Sequence, residues 1–340
     1  MDRGDYARAV ALYAEALAAP GGAAASRARA RWALSEAYEK LRDCRGVLRA
    51  LDRFLTAYPD DPRRPAGLMR KGACEAELGD FAASRASYRA AREAGGERLG
   101  VAARIETYAR EGYAAFEAGD LDGAEAVLAE GARYAAEALE HTRLDSYYFV
   151  GMIHFYRGAV EHVRFRRVEI RSRRRDMEQD FARKVEHLTR AQEHYREAVR
   201  ARHMFWVSAA GFQMGQIFAE FYDAIMYAPV PSWLSKRQRA IYFEELRRQL
   251  RPALEKAIWV FEKTVETARR LGYDSPFVER AQAKLAHLRA VVVAGQGRIG
   301  QPDPKLAPEV ERPIGPVPSA QAEAISPLDR ALFVPEPTPL

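Results

Sequence analysis

Small and apolar residues recur along this chain at helical spacing, and the pattern is clearest between Leu68 and Ala94. A helix is expected to end at Leu78, turn through Gly79-Asp80 and give way to a second helix from Phe81. Gly72 lies seven residues before Gly79, and Phe81, Ser84, Tyr88 and Ala91 follow at three- and four-residue steps. Residues so spaced share one helix face. A small residue on the first helix lets the second approach closely, and an aromatic from the second fills the remaining gap. The result is a helix–turn–helix unit of about 34 residues.

The unit repeats on both sides. Gly4-Asp5-Tyr6, with Ala9, Tyr13 and Ala16, reads as a turn and second helix whose first helix is missing, which favours a chain start truncated ahead of Gly4. After the break at Pro20-Gly21-Gly22, a second unit pairs 27–41 with 47–58. Ser35 takes its small position, and Tyr38, Val47, Leu51 and Phe54 form its packing stripe. A proline-bearing link over 60–65 leads to the Leu68–Ala94 unit. A fourth carries Gly112, Gly119-Asp120-Leu121, Ala124 and Leu128. The turns at 4, 42, 79 and 119 are spaced by 38, 37 and 40 residues.

Beyond Asp145 the repeats become irregular. The pattern predicts one long helix over 147–175, with Gly151 at a small position, and another over 180–200. A helix over 205–227 carries Gly211 and Gly215 four residues apart, which points to close packing in a soluble stack rather than in a membrane, because Gln213, Gln216 and Glu220 share the stretch. Ser235 is expected to cap a helix running to about Leu271, with a kink or break near Leu250 from Pro252. Pro276 opens a terminal helix in its first turn, where its missing donor costs nothing. The domains expected are thus 1–140, regular repeats; 141–294, irregular repeats ending in a capping helix; and 295–340, a disordered Pro-rich tail. Ten of the eighteen prolines fall in 301–340, and the end of that tail, Leu328 to Val334, is its most apolar part.

Composition agrees with stacked helices: 48% of residues are hydrophobic, and no apolar run reaches the roughly 20 residues that cross a bilayer. Six acidic and three basic residues give 301–340 a net −3, leaving +9 for the remainder, a modest charge that a solvated Arg-rich surface accounts for. Cys44 and Cys74 exclude a cysteine-only zinc site and a disulfide-dense scaffold. A single bridge between them stays open, while their helix-packing positions favour buried thiols.

Catalytic signatures are missing: there is no Gly-rich phosphate loop, no His-Glu-x-x-His and no Gly-x-Ser-x-Gly elbow. His187 and His194 lie two turns apart, about 10 Å along a helix, too far to share a metal. Neither catalytic nor metal residues nor cofactors are assigned, and no small-molecule substrate is expected. The strongest charge feature is an Arg cluster, in which Arg164, Arg167, Arg171, Arg174 and Arg175 form a candidate anion patch beside Arg166 and Arg173. A stack of helix pairs also presents the first helix of each pair on a concave face. On the aligned register that face collects Arg29, Trp32, Glu36, Glu39, Met69, Tyr113, Phe116, Tyr148, Met152, Phe155, Phe212 and Gln216 as a partner-binding groove.

The Gly-Asp-Tyr, Gly-Asp-Phe and Gly-Asp-Leu turns, the Ala9, Ser84 and Ala124 that follow them, and Pro59 at a unit's end make residues 4–131 resemble the tetratricopeptide repeat (TPR) family. The resemblance implies an all-α fold, a right-handed α-α superhelical solenoid, and protein–protein scaffolding without catalysis. Family members that clamp C-terminal carboxylates use Lys and Asn where this chain has Trp32 and Glu36, so that ligand class does not carry over. Phe221-Tyr222-Asp223, Ala228-Pro229-Val230-Pro231, Glu245-Leu246 and Leu254-Glu255-Lys256-Ala257 resemble C-terminal regions of large bacterial TPR proteins that serve cell-envelope assemblies, surface gliding machinery among them. The expected function is a non-enzymatic scaffold that holds an extended or helical peptide of a protein partner in the groove, within a bacterial assembly. The alternative is a regulator that binds nucleic acid or another anionic surface through the arginines of 164–175. A truncated start would favour the envelope or periplasm, and a complete one the cytoplasm.

Overall fold

A computed structural model describes residues 3–231 and 233–295. The expected disordered tail beyond Gly295, including Leu328 to Val334, lies outside the described residues. All regular structure among them is helical, and no helix is long and apolar enough to cross a membrane. The chain divides into two compact units at Thr142/Arg143.

Unit 1 contains α1 (Arg3–Ala18) and three antiparallel pairs: α2 (Ala24–Lys40) with α3 (Cys44–Ala57), α4 (Arg64–Glu77) with α5 (Phe81–Gly95), and α6 (Val101–Glu117) with α7 (Leu121–Leu139). Each pair turns in the same way. Gly79 and Gly119 have φ of 81° and 79°, in the left-handed region that favours glycine, and Arg42 takes the equivalent place with φ 58°. The next residue is always Asp, and it caps the second helix. Asp43, Asp80 and Asp120 accept from the backbone N–H groups of Gly46, Ala83 and Gly123 at 2.9, 3.0 and 2.9 Å. Inside the pairs, glycines set the approach: a Cβ on Gly72 would stand 2.9 Å from the Tyr88 ring, and one on Gly112 only 2.3 Å from Leu128. Ser84 Oγ donates to the Gly72 carbonyl at 2.8 Å, which satisfies a polar group in the same contact.

Cys44 and Cys74 are bonded as a disulfide, with Cα atoms 5.0 Å apart, where buried free thiols were expected. Residue 44 opens α3 and residue 74 lies in α4, so the bridge ties the second helix of one pair to the first helix of the next. Both sulfurs sit in the apolar cluster of Val47, Leu51, Phe54 and Leu68.

Unit 2 pairs α8 (Tyr148–Arg167) with α9 (Arg174–Arg200) and α10 (Met204–Met226) with α11 (Lys236–Arg270), and α12 (Pro276–Gly295) packs on α10 and α11. Gly158 receives Tyr195 of α9, Gly211 receives Thr264 and Gly215 receives Phe261. The Gly211/Gly215 stripe therefore serves close packing between two helices of one chain. Two expectations change. The long helix over 147–175 stops at Arg167, because the backbone N–H and guanidinium of Arg171 both bind Asp180, at 3.1 and 2.8 Å, and draw 168–173 out of helical conformation. And of the kink or break expected near Leu250, the break does not occur: α11 continues through Pro252, with Leu250 and Leu254 buried on either side. Ser235 caps it as expected, in a reciprocal capping box with Gln238.

Candidate protein-binding face

The sequence-predicted groove residues separate by unit. In unit 1 they lie on the first helices α2, α4 and α6, and most stay accessible. Arg29 and Glu39 are exposed, while Trp32, Glu36, Met69 and Phe116 are half-buried. Tyr113 is the exception: it is buried, edge-on to Phe81 at 6.1 Å between ring centres, and burial followed by the Glu117 charge pushes its phenol up to about 12.

Trp32 is held from several sides. Its Nε1–H donates to Glu36 Oε1 at 2.8 Å. Its ring stands 5.4 Å from that of Phe54, and the guanidinium carbons of Arg70 and Arg63 lie 4.6 and 5.4 Å from its centre. Such contacts favour a cation over an indole face. Arg70 also reaches Glu39 at 3.0 Å, Glu36 at 3.6 Å and the Ser35 hydroxyl at 3.0 Å, joining α4 to α2. Arg63 forms a two-bond fork with Asp61, and the hydrogen bonds to Arg63 hold that carboxyl below the usual carboxylate range. Sequence reading missed Arg63 and Arg70. Arg63 comes from the link between α3 and α4 and Arg70 from the neighbouring first helix, so no spacing within α2 announces either.

In unit 2 the groove assignment is corrected. Tyr148, Met152, Phe155, Phe212 and Gln216 are buried, so they do not line an accessible face. The cause is Trp206. A Cβ on Gly151 would lie 2.7 Å from its indole, and the ring stands 5.2 Å from Tyr148 and 5.1 Å from Phe155. Phe212 packs instead between Phe261 and Phe277, at 5.9 and 6.3 Å.

Deeper in the same interior lies a polar network. His162 is wholly buried, with Nδ1 3.3 Å from the Tyr195 hydroxyl and Nε2 3.0 Å from Glu220 Oε2. Arg166 grips both oxygens of Glu220, with Nε donating to Oε2 at 2.7 Å, and Gln216 donates to Oε1 at 2.8 Å. Burial draws the Glu220 carboxyl upward, but His162 and Arg166 outweigh it and hold the group ionised. Burial keeps His162 neutral by lowering its pKa. With both oxygens of Glu220 engaged, the network ties α8, α9 and α10 together.

The candidate anion patch is dispersed as well. Arg164 pairs with Glu161 at 2.6 Å, and Arg171 binds Asp180, whose carboxyl it holds far below the ordinary range. The 164–175 stretch is not one helix. Arg167, Arg173 and Arg175 stay exposed, with no ion pair among the described residues, whereas the side chain of Arg174 is outside them. His187 Nδ1–H donates to Glu161 Oε2 at 2.7 Å, and burial, followed by the charge of Arg157, lowers His194 to about 4.

No family model matches the chain, and no curated protein does. Among solved structures it is similar to a TPR repeats protein from Bacteroides fragilis, at 12% identity and a TM-score of 0.34, over 76% of this chain and 95% of that one. It is also similar to a tetratricopeptide repeat protein from Parabacteroides merdae, at 13% identity and a TM-score of 0.34, over 77% and 98%. The fold of the described residues is all-α, with each unit a short stack of consecutively packed helix pairs.

Proposed function

We propose that the protein is a non-enzymatic scaffold that binds a segment of a protein partner across the first helices of unit 1. The observation that supports this reading is the half-exposed row of Trp32, Met69 and Phe116, set among Arg29, Glu36 and Glu39. Aromatic and Met side chains anchored from behind offer contact area with little left to order on binding, and the charges beside them select a register. An extended or helical peptide fits a face built from parallel helix ridges. A bacterial envelope assembly is the setting this reading favours, since a bridge such as Cys44–Cys74 persists in oxidising compartments.

Peptide arrays or pull-downs from the source organism test it. Trp32→Ala with Phe116→Ala should abolish capture of the partner, and Glu36→Lys with Glu39→Lys, which spares the apolar core, should weaken it. Capture that survives both double variants at full strength would sink the assignment of this face.

A further inference from the structure

Unit 2 carries a second, separate surface whose chemistry is unlike the face on unit 1. Phe181 and Val185 stand one turn apart on α9 and are exposed, at 41% and 37%. The Phe181 ring lies 5.8 Å from Phe221, and Phe221 and Ile170 pack on a satellite cluster of Ile225, Met226, Phe243 and Leu250. The apolar surface is therefore continuous from α9 to the C-terminal end of α10. Its rim is mainly basic: Arg167 and Arg173 flank Ile170 in sequence, Arg175 follows, and all three are exposed with no ion pair among the described residues, against one exposed acid in that stretch, Glu169. Exposed apolar surface whose rim carries an excess of one charge marks a docking site for a segment of the opposite charge.

The course of α12 says which segment is near. Ser275 meets Ser208 at 3.3 Å, Phe277 stands 6.0 Å from Phe205, and Lys284 acts on the Asp223 carboxyl. So α12 runs alongside α10 in the same direction, and Gly295 is delivered to the end of the unit where Ile225 and Met226 lie. Beyond it, residues 301–340 carry six acidic residues against three basic ones. Within them, Leu328, Ala331 and Leu332 recur at i, i+3 and i+4, followed by Phe333 and Val334, and Pro327 and Pro335 bound the stretch. That is the spacing of a short amphipathic anchor. Leu328 follows Gly295 by 33 residues, and a chain of that length at coil dimensions spans on the order of 30 Å, about the length of α10 itself.

We propose that the Leu328–Val334 segment of the chain docks in cis on the Phe181–Phe221–Ile170 surface of unit 2, with Asp329 within it and Glu323 and Glu336 on either side facing the arginine rim. The segment is then an internal occupant that an acidic, apolar peptide from another protein would have to displace.

The test uses the full chain with a photo-crosslinking amino acid at position 333. Illumination should give adducts within one chain that map to α9 near Phe181 and to the end of α10 near Phe221. Phe181→Asp, at an exposed site that leaves the fold intact, should cut their yield by about tenfold, as loss of an apolar anchor does. Excess free peptide covering 324–340 should compete with the adduct. Adducts elsewhere in the chain, or a yield indifferent to Phe181→Asp, would overturn the proposal. So would adducts between chains that vanish on dilution, which would make a second copy the occupant.

Discussion

Units 1 and 2 fill their glycine gaps differently. In unit 1 the close fillings stay within a pair: Tyr88 of α5 onto Gly72, Leu128 of α7 onto Gly112 and Tyr38 of α2 onto Gly46. Between successive first helices the contact is looser, and a Cβ on Gly67 would meet Trp32 at an ordinary 3.4 Å. In unit 2, Gly158 receives Tyr195 within its pair, but Gly151 receives Trp206 from the first helix of the next pair. That one inter-pair nesting draws α8 and α10 together and closes the aromatic face that unit 1 leaves half open. Whether a helix-pair stack keeps a binding face thus depends on where the bulky residue that meets each glycine resides, not on how many aromatics the first helices carry.

The comparison can be broken hardest at Glu220. Glu220→Ala would leave the half-buried Arg166 without its carboxylate and His162 with only Tyr195, at a cost of about 3–5 kcal/mol. The loss should appear as faster hydrogen exchange in α8–α10 while α2–α7 are unchanged; a uniform change across both units would contradict the separate interiors. The corresponding lesion in unit 1 is Cys44→Ser, which removes a bridge closing a 30-residue separation and should cost about 3–4 kcal/mol by loop-closure entropy. Denaturant melts with and without reductant check it, and the serine variant should no longer respond to reductant.

Gly112→Leu tests nesting within a pair. A side chain there meets Leu128 well inside contact distance, and overpacking should cost about 1–3 kcal/mol; a neutral melt would mean that Gly112 is not at the seam. Acid separates the units more gently. Burial, then the charge of Arg157, lowers His154 and His194 of unit 2 to about 4. The unfolded chain therefore takes up protons first, and unit 2 should lose stability as pH falls from about 6.5 to 4, then level off. Exchange rates followed across that range would show it, with unit 1 changing less. The smallest effect is expected from Asp80→Ala, about 1 kcal/mol through loss of the α5 cap, where α8, α9 and α10 have no side-chain cap to lose.

Much of unit 1 was legible before any coordinates. Gly-Asp turns announce themselves because a positive φ and an N-cap each demand particular residues, and even Arg42 is placed by the Asp43 that follows it. The stop of α8 at Arg167 was not legible, since no Gly or Pro marks it and its cause, Asp180, is a tertiary partner. Nor was the Cys44–Cys74 bond, because a separation of 30 residues says nothing about distance in space. The unit 2 half of the groove was misread for a related reason. Tyr148 and Phe155 show the same periodicity whether solvent or Trp206 faces them.

Stacked helix pairs come apart most readily at the seams between pairs, since each repeat touches only its neighbours. The bond from residue 44 to residue 74 crosses one such seam. If the chain is tugged while anchored to a larger machine, peeling that starts at α1 would halt at this rivet until it is reduced. Residue 44 follows α2, so that helix would be stripped first, while α3 and the helix carrying Arg70 would keep their spacing under load and give a partner a rigid hold there.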